Sequence, residues 1–258
     1  RRQPGNRCRY VLETIVTAVR EGRAIYENIV KFVRFQLATN LSAITTVLAS
    51  VAFGLVQPFT TIQILWVNLI CDGPPALALG VEQPRAEAMD APPRARNEQI
   101  LSASRLRVLL WLAGIMAICT LAIVSVSVRE VSTRTAATMG WTTFVFAQIF
   151  NVFNARSERA SAFGPGLFTN RALWCSVTGV VVAQIAIVRV DWLRRFFDAA
   201  RLDGTQFLIC VAVASTVLWL EESRKTFVRR RDIRLGHDAD ASVTITHDGV
   251  ARADAGSE

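Results

Sequence analysis

Six stretches of this chain are apolar for long enough, or nearly so, to cross a bilayer, which takes about 20 helical residues. They cover residues 36–56, 60–81, 106–128, 135–155, 172–190 and 206–220, and polar residues interrupt several of them. Ahead of the first, Ile15, Val19, Tyr26, Ile29, Val30 and Val33 recur near helical spacing. That period predicts an amphipathic helix over 12–35 running directly into the first span, with Gly22 its one weak point. Residues 83–99 are rich in proline and charge and read as a cytoplasmic link. From about Arg229 the chain turns small and polar, and disorder is expected beyond Gly236. The expected fold is an all-α membrane protein in three parts. A cytoplasmic N-terminal segment and stalk helix occupy 1–35, a bundle of six transmembrane helices 36–222, and a cytoplasmic, largely disordered tail 223–258.

Composition agrees with apolar spans joined by basic loops rather than one soluble core. The 258 residues are 52% hydrophobic with a mean hydropathy of +0.33, yet include 29 Lys and Arg. The basic residues also orient the spans. Of the 29, 22 fall in the N-terminal segment, the tail and the loops after the second and fourth spans; five fall in the other three loops, and Arg107 and Arg189 lie just inside span ends. Lys and Arg favour the cytoplasmic side, so both termini are expected there. No basic stripe with interleaved aromatics lies outside the apolar segments, which argues against nucleic acid despite the net charge of +8. The first ten residues are basic and polar with no apolar run behind them, so no cleavable signal peptide is expected. The cluster Arg229, Arg230, Arg231 suits either anionic lipid headgroups or a stop-transfer anchor. Five cysteines show no metal spacing and no disulfide framework; Cys71, Cys119, Cys175 and Cys210 read as buried small hydrophobes, apart from Cys8.

The candidate chemistry concentrates in residues 66–75. Asn68 and Asp72 are four apart, on one helical face one turn from each other. An ionisable group inside an apolar span is expensive and by default marks an ion or proton path. Pro74 and Pro75 lack an N–H, so a helix break is expected, with the carbonyls of Ile70 and Cys71 losing their usual partners. Two side-chain oxygens and two freed carbonyls suit a hard cation. Asn40, in the first span, joins this set if the two hairpin helices bring it near; alone it reads as a structural hydrogen bond between helices. Gln148, Asn151 and Asn154 recur every three residues in the fourth span, as helix packing or as a wet vestibule. Gln184 reads as structural. Arg189, Asp191, Arg194 and Arg195 read as snorkelling and pairing at a membrane edge. Glu221 and Glu222 read as an interfacial cap and Glu158 as a surface carboxylate. There is no phosphate-binding Gly-rich loop, no Ser/His/Asp constellation and no His–Cys cluster, and His237 and His247 both lie in the tail. Nothing in these residues hydrolyses a nucleotide, so enzymatic activity of the chain alone is left open.

Several motifs together resemble the C-terminal membrane half of P-type calcium-transporting ATPases. Gly22-Arg23-Ala24-Ile25-Tyr26-Glu27-Asn28-Ile29, followed by Lys31-Phe32-Val33-Arg34-Phe35-Gln36-Leu37, is similar to the stalk and start of the fifth pump helix. Residues 66–72 with Gly73, Pro75, Ala76 and Ala78-Leu79-Gly80 are similar to the sixth helix. Met89-Asp90 with Pro92-Pro93-Arg94 resembles the loop after it, and Phe150-Asn151 with Asn154-Ala155-Arg156 resembles the eighth helix of the plasma-membrane type. The resemblance runs from about Val11 to Arg231. It implies that Asn40, Asn68 and Asp72 ligate calcium, with the carbonyls of Ile70 and Cys71 as further donors. Ala43 stands where reticulum-type pumps carry a glutamate and Cys71 where they carry a threonine. Both departures resemble the plasma-membrane type and imply one calcium per cycle. Glu158 aligns loosely with a ligand of the other site.

The resemblance also implies a cell-membrane location, and partners in the lipid bilayer, the transported cation and an N-terminal pump half. ATP and magnesium enter only through that half. Its phosphorylated Asp-Lys-Thr-Gly-Thr motif, nucleotide-binding domain and Pro-Glu-Gly-Leu helix would lie upstream of Val11. Manganese or magnesium fits the oxygen donors on hardness as calcium does. The leading expectation is the transport-domain half of an ATP-driven calcium pump. Against it stand a truncated or stand-alone non-catalytic membrane protein and a passive channel or secondary transporter.

Overall fold

The computed structural model describes residues 4–82, 101–156 and 168–254, with side chains described over 13–82, 101–156 and 168–231. The proline-rich link at 83–99, including Met89 to Arg94, and Glu158 lie outside the described residues. All regular structure among the described residues is helical.

The first helix, α1 (Pro4–Ala52), carries the amphipathic stretch and the first apolar span as one unbroken rod, since no proline falls inside it after its first residue. It stops at Gly54, whose φ of +62° is a left-handed conformation that glycine adopts without penalty. The N–H of Leu55 reaches Ser50 O (2.8 Å) and that of Gly54 reaches Val51 O (3.2 Å), so two orphan carbonyls of the last turn are satisfied. The chain then returns antiparallel through α2 (Thr61–Trp66), a π-helical turn π1 (Val67–Asp72) and α3 (Gly73–Gly80). Three further long helices follow: α4 (Ala103–Ser127), α5 (Thr133–Ala155) and α6 (Arg171–Arg189). Ser102, Ser132 and Asn170 cap them by accepting a hydrogen bond from the backbone N–H three residues on. A short helix α7 (Asp191–Phe196) precedes α8 (Gly204–Asp254). The backbone of α8 is thus helical through the stretch beyond Gly236 that composition marks for disorder.

Among the described residues, five segments are long and apolar enough to cross a membrane: Glu13–Ala52, Thr61–Gly80, Ala103–Ser127, Arg171–Arg189 and Gly204–Arg231. The helix α5 is not among them, although 23 residues is span length. Its 17 buried residues explain the difference. It lies at the centre of the bundle, packed against α1, α4, α6, α8 and π1, and a helix enclosed by protein needs no lipid-facing apolar side. Phe144 meets Phe59 (ring centroids 4.9 Å) and Phe146 meets Phe207 (5.3 Å) across these seams. At Gly140 the approach of α4 is so close that a Cβ would lie 2.3 Å from Val124 Cγ2.

Polar ties close both ends of the bundle. At the stalk end, Glu82 accepts from Lys31 Nζ (2.8 Å) and Arg156 Nε (2.8 Å), while Asn28 Nδ2 donates to Glu82 O (2.7 Å) and Gly80 O (3.3 Å). Burial tends to raise the Glu82 carboxyl, but the bonds and charges of Lys31 and Arg156 outweigh it and hold the group below its usual range. At the other end, Phe197 of the turn after α7 stacks on Trp141 (5.8 Å) and meets Trp66 edge to face (5.1 Å), and its carbonyl accepts from Gln63 Nε2 (2.9 Å). Arg134 pairs with Asp198 (2.7 Å). Arg194 pairs with Asp191, as edge pairing predicts.

Two expectations are corrected here. Glu221 is not an interfacial cap: it is completely buried and bonded to Arg224 one turn on (2.6 and 2.8 Å), because α8 continues past it. Burial holds for Cys71 and Cys210 but not for Cys119, which is half-buried, or Cys175, which is exposed.

Candidate cation site

Asp72 sits where π1 meets α3. Pro74 and Pro75 occupy the first positions of α3 and supply no N–H, so the ordinary α ladder cannot cross the junction. The chain answers with a π turn instead of the expected break. It remains helical on both sides, with Asp72 at φ −93°, ψ −45° and Gly73 at φ −57°, ψ −67°. Single π turns inside helices are common at functional sites.

The three side chains singled out in the sequence fall in different surroundings. Asp72 is completely buried, Asn40 is half-buried, and Asn68 is exposed. Among the described residues no hydrogen bond joins the three. The widened turn carries Asn68 outward on a side that these helices leave open, while Asp72 points inward against α1. There it meets a residue the sequence reading passed over. Thr39 Oγ1 donates to Asp72 Oδ2 at 3.0 Å, and both residues are completely buried. Asp72 Oδ1 is buried with no hydrogen-bond partner. Thr39 carried no signal of its own, since a threonine in an apolar helix most simply bonds the turn behind it.

Ser42, one turn beyond Thr39 and buried, has an unpartnered hydroxyl. Cys71 is buried beside Asp72, and Ala43 is half-buried. In the α5 stripe, Asn154 Nδ2 donates to Val217 O of α8 (3.3 Å), as helix packing predicts. Gln148 and Asn151 are also buried, yet neither amide has a partner for its oxygen or its nitrogen. Gln184 donates to Thr142 Oγ1 (3.2 Å), the structural role read from its isolation. No group of three or more His, Cys, Asp or Glu able to hold a metal occurs among the described residues. One carboxylate among amides, hydroxyls and carbonyls is a donor set for a hard ion that dehydrates onto neutral oxygens, not for a thiolate- or imidazole-seeking metal.

Comparison with known proteins adds a family. Residues 56–227 match the profile described as "Cation transporting ATPase, C-terminus". Over 221 residues the chain is 38% identical to Calcium-transporting ATPase 1 of Schizosaccharomyces pombe, covering 85% of this chain and 25% of that protein. Over 213 residues it is 38% identical to Calcium-transporting ATPase type 2C member 2 of Homo sapiens, covering 82% and 22%. Calcium-transporting ATPase 1 of Saccharomyces cerevisiae is 35% identical over 221 residues, covering 85% and 23%. The chain spans about a quarter of the length of these relatives.

Proposed function

Since the chain belongs to the cation-transporting ATPases, as their C-terminal membrane region, we propose that it is the transport half of an ATP-driven calcium pump. The observation that carries the reading is Asp72, a completely buried carboxylate at a π turn within an apolar helix, with one oxygen left without a partner. Such a group is retained at a cost and suits an ion path. Asn40, Asn68 and Asp72 are its proposed side-chain ligands, and the carbonyls of Ile70 and Cys71 its proposed backbone donors. Ala43 and Cys71 favour a single ion per cycle. Calcium is the proposed ion, supported by the names of the relatives; manganese or magnesium would use the same oxygens.

In this reading α5 is the fourth of six spans and completes the set, the stalk end of the bundle is cytoplasmic together with both termini, and the host is the cell membrane. Residues 1–35 serve as stalk, 36–222 as transport domain and 223–258 as tail. ATP and magnesium act on the N-terminal pump half, whose phosphorylation would be felt here through α1. The helix α1 is bonded to the far end of α3 through Asn28, Lys31 and Glu82 in its stalk part, and to Asp72 through Thr39 beyond it. A tilt of α1 therefore acts on the carboxylate directly.

The test is a chimaera in which residues 11–231 replace the matching segment of the Schizosaccharomyces pombe relative. Asp72→Asn is expected to abolish calcium-dependent phosphoenzyme at equal expression. Calcium uptake equal to that of the unmutated chimaera would overturn the assignment.

A further inference from the structure

We infer that Thr39 is a positioning residue for Asp72: its hydroxyl holds one carboxylate oxygen, Oδ2, and so presents the other, Oδ1, to the cation. The inference rests on the cation-site reading above and deepens it. Thr39 Oγ1 has three acceptors in reach: Asp72 Oδ2 at 3.0 Å, Gln36 O at 3.1 Å and Phe35 O at 3.2 Å. A hydroxyl has one proton, so it serves one of them at a time. The two carbonyls lie within the helical ladder of α1, whereas Asp72 makes no other side-chain hydrogen bond. A bond to an ionised carboxylate is also stronger than one to a neutral carbonyl. Whenever Asp72 is ionised and holds no cation, it therefore takes the proton, and this fixes the rotation of the carboxylate.

The second carboxylate oxygen completes the argument. Oδ1 is buried and has no partner, which is costly for a charged acceptor unless something else satisfies it. An arriving cation does so, and it draws negative charge towards Oδ1 as it binds. The hydroxyl then has less to gain at Oδ2 and can turn back to Phe35 O or Gln36 O without leaving a donor unsatisfied. Thr39 thus holds the carboxylate when the site is empty and yields when it is filled. Because Thr39 and Asn40 are consecutive on α1, the same turn of stalk helix carries the clamp and a proposed ligand.

The experiment uses the same chimaera, reading the calcium concentration for half-maximal phosphoenzyme separately from its maximal level. Thr39→Val keeps the volume and removes the hydroxyl; it is expected to raise the half-maximal concentration about tenfold with the maximal level retained. Thr39→Ser keeps the hydroxyl and is expected to stay near the unmutated value. The reverse pattern, serine impaired and valine normal, identifies a packing role and overturns the inference, as does no effect from either. If valine blocks folding, Thr39→Ala replaces it with the same expectation. A normal calcium response in Asp72→Asn sinks the cation-site reading itself. Loss of response in Asp72→Asn with an unshifted Thr39→Val sinks only the role of Thr39.

Discussion

Gln148 and Asn154 lie six residues apart on α5 and are both buried, but they differ in their partners. Asn154 donates from Nδ2 to Val217 O and leaves only its Oδ1 without a partner, whereas Gln148 has both polar atoms enclosed without one. Removing a bonded group loses its hydrogen bond, and removing an unbonded one relieves a desolvation cost. Asn154→Leu is therefore expected to lower unfolding stability in detergent by about 1 kcal/mol, since Val217 O keeps its place in the ladder of α8. Gln148→Leu, close in volume, is expected to leave it unchanged or raise it, so a comparable loss in both variants would contradict this account. The stripe is legible in the sequence but this difference is not, because three residues at one spacing look alike until neighbouring helices supply or withhold acceptors.

Between elements, α4 approaches α5 closely at Gly140. An added methyl would sit 2.3 Å from Val124 Cγ2 and 3.5 Å from Pro58 Cβ, and the β-branched Val124 is itself buried and stiff. Alanine gains up to about 1 kcal/mol over glycine in a helix interior. Overpacking costs about 1–3 kcal/mol, so the clash wins. Gly140→Ala should lower the melting temperature, and adding Val124→Ala should recover part of the loss. The second tie is Glu82, which joins α1 to the ends of α3 and α5. Glu82→Gln removes the carboxylate shared by Lys31 and Arg156, with an expected cost of about 3 kcal/mol at pH 7. Since this carboxyl is held below its usual 4.5 when folded, the tie is fully present above that value. It is lost only as pH falls through the lower folded value, so the wild type and Glu82→Gln should converge in stability in strong acid and differ at neutral pH.

For the molecule as a whole, the ends of the bundle alternate. Ser102 and Arg231 belong with the stalk end, and Glu130 and Asp203 with the end closed by Phe197. With the native cysteines replaced, single cysteines at positions 130 and 168, which flank α5, should react with an impermeant maleimide from opposite sides of sealed vesicles. Labelling of both from one side would remove α5 from the set of spans. That helix is the point where apolarity alone misleads. It is too polar to rank with the five apolar segments, yet more enclosed than any of them.

What the chain determines alone is local. Apolar length sets the helices, serines and an asparagine start three of them, Gly54 stops another, and two prolines beside Asp72 forbid a regular ladder at a carboxylate set deep in an apolar span. These effects act over one or two turns, so they are readable without a fold. Only tertiary structure decided that α5 is central, that Glu82 binds three elements, and that Thr39, 33 residues away, holds Asp72. Each depends on which helix lies beside which, and a polar side chain acquires its role from the partner that packing brings within hydrogen-bond reach.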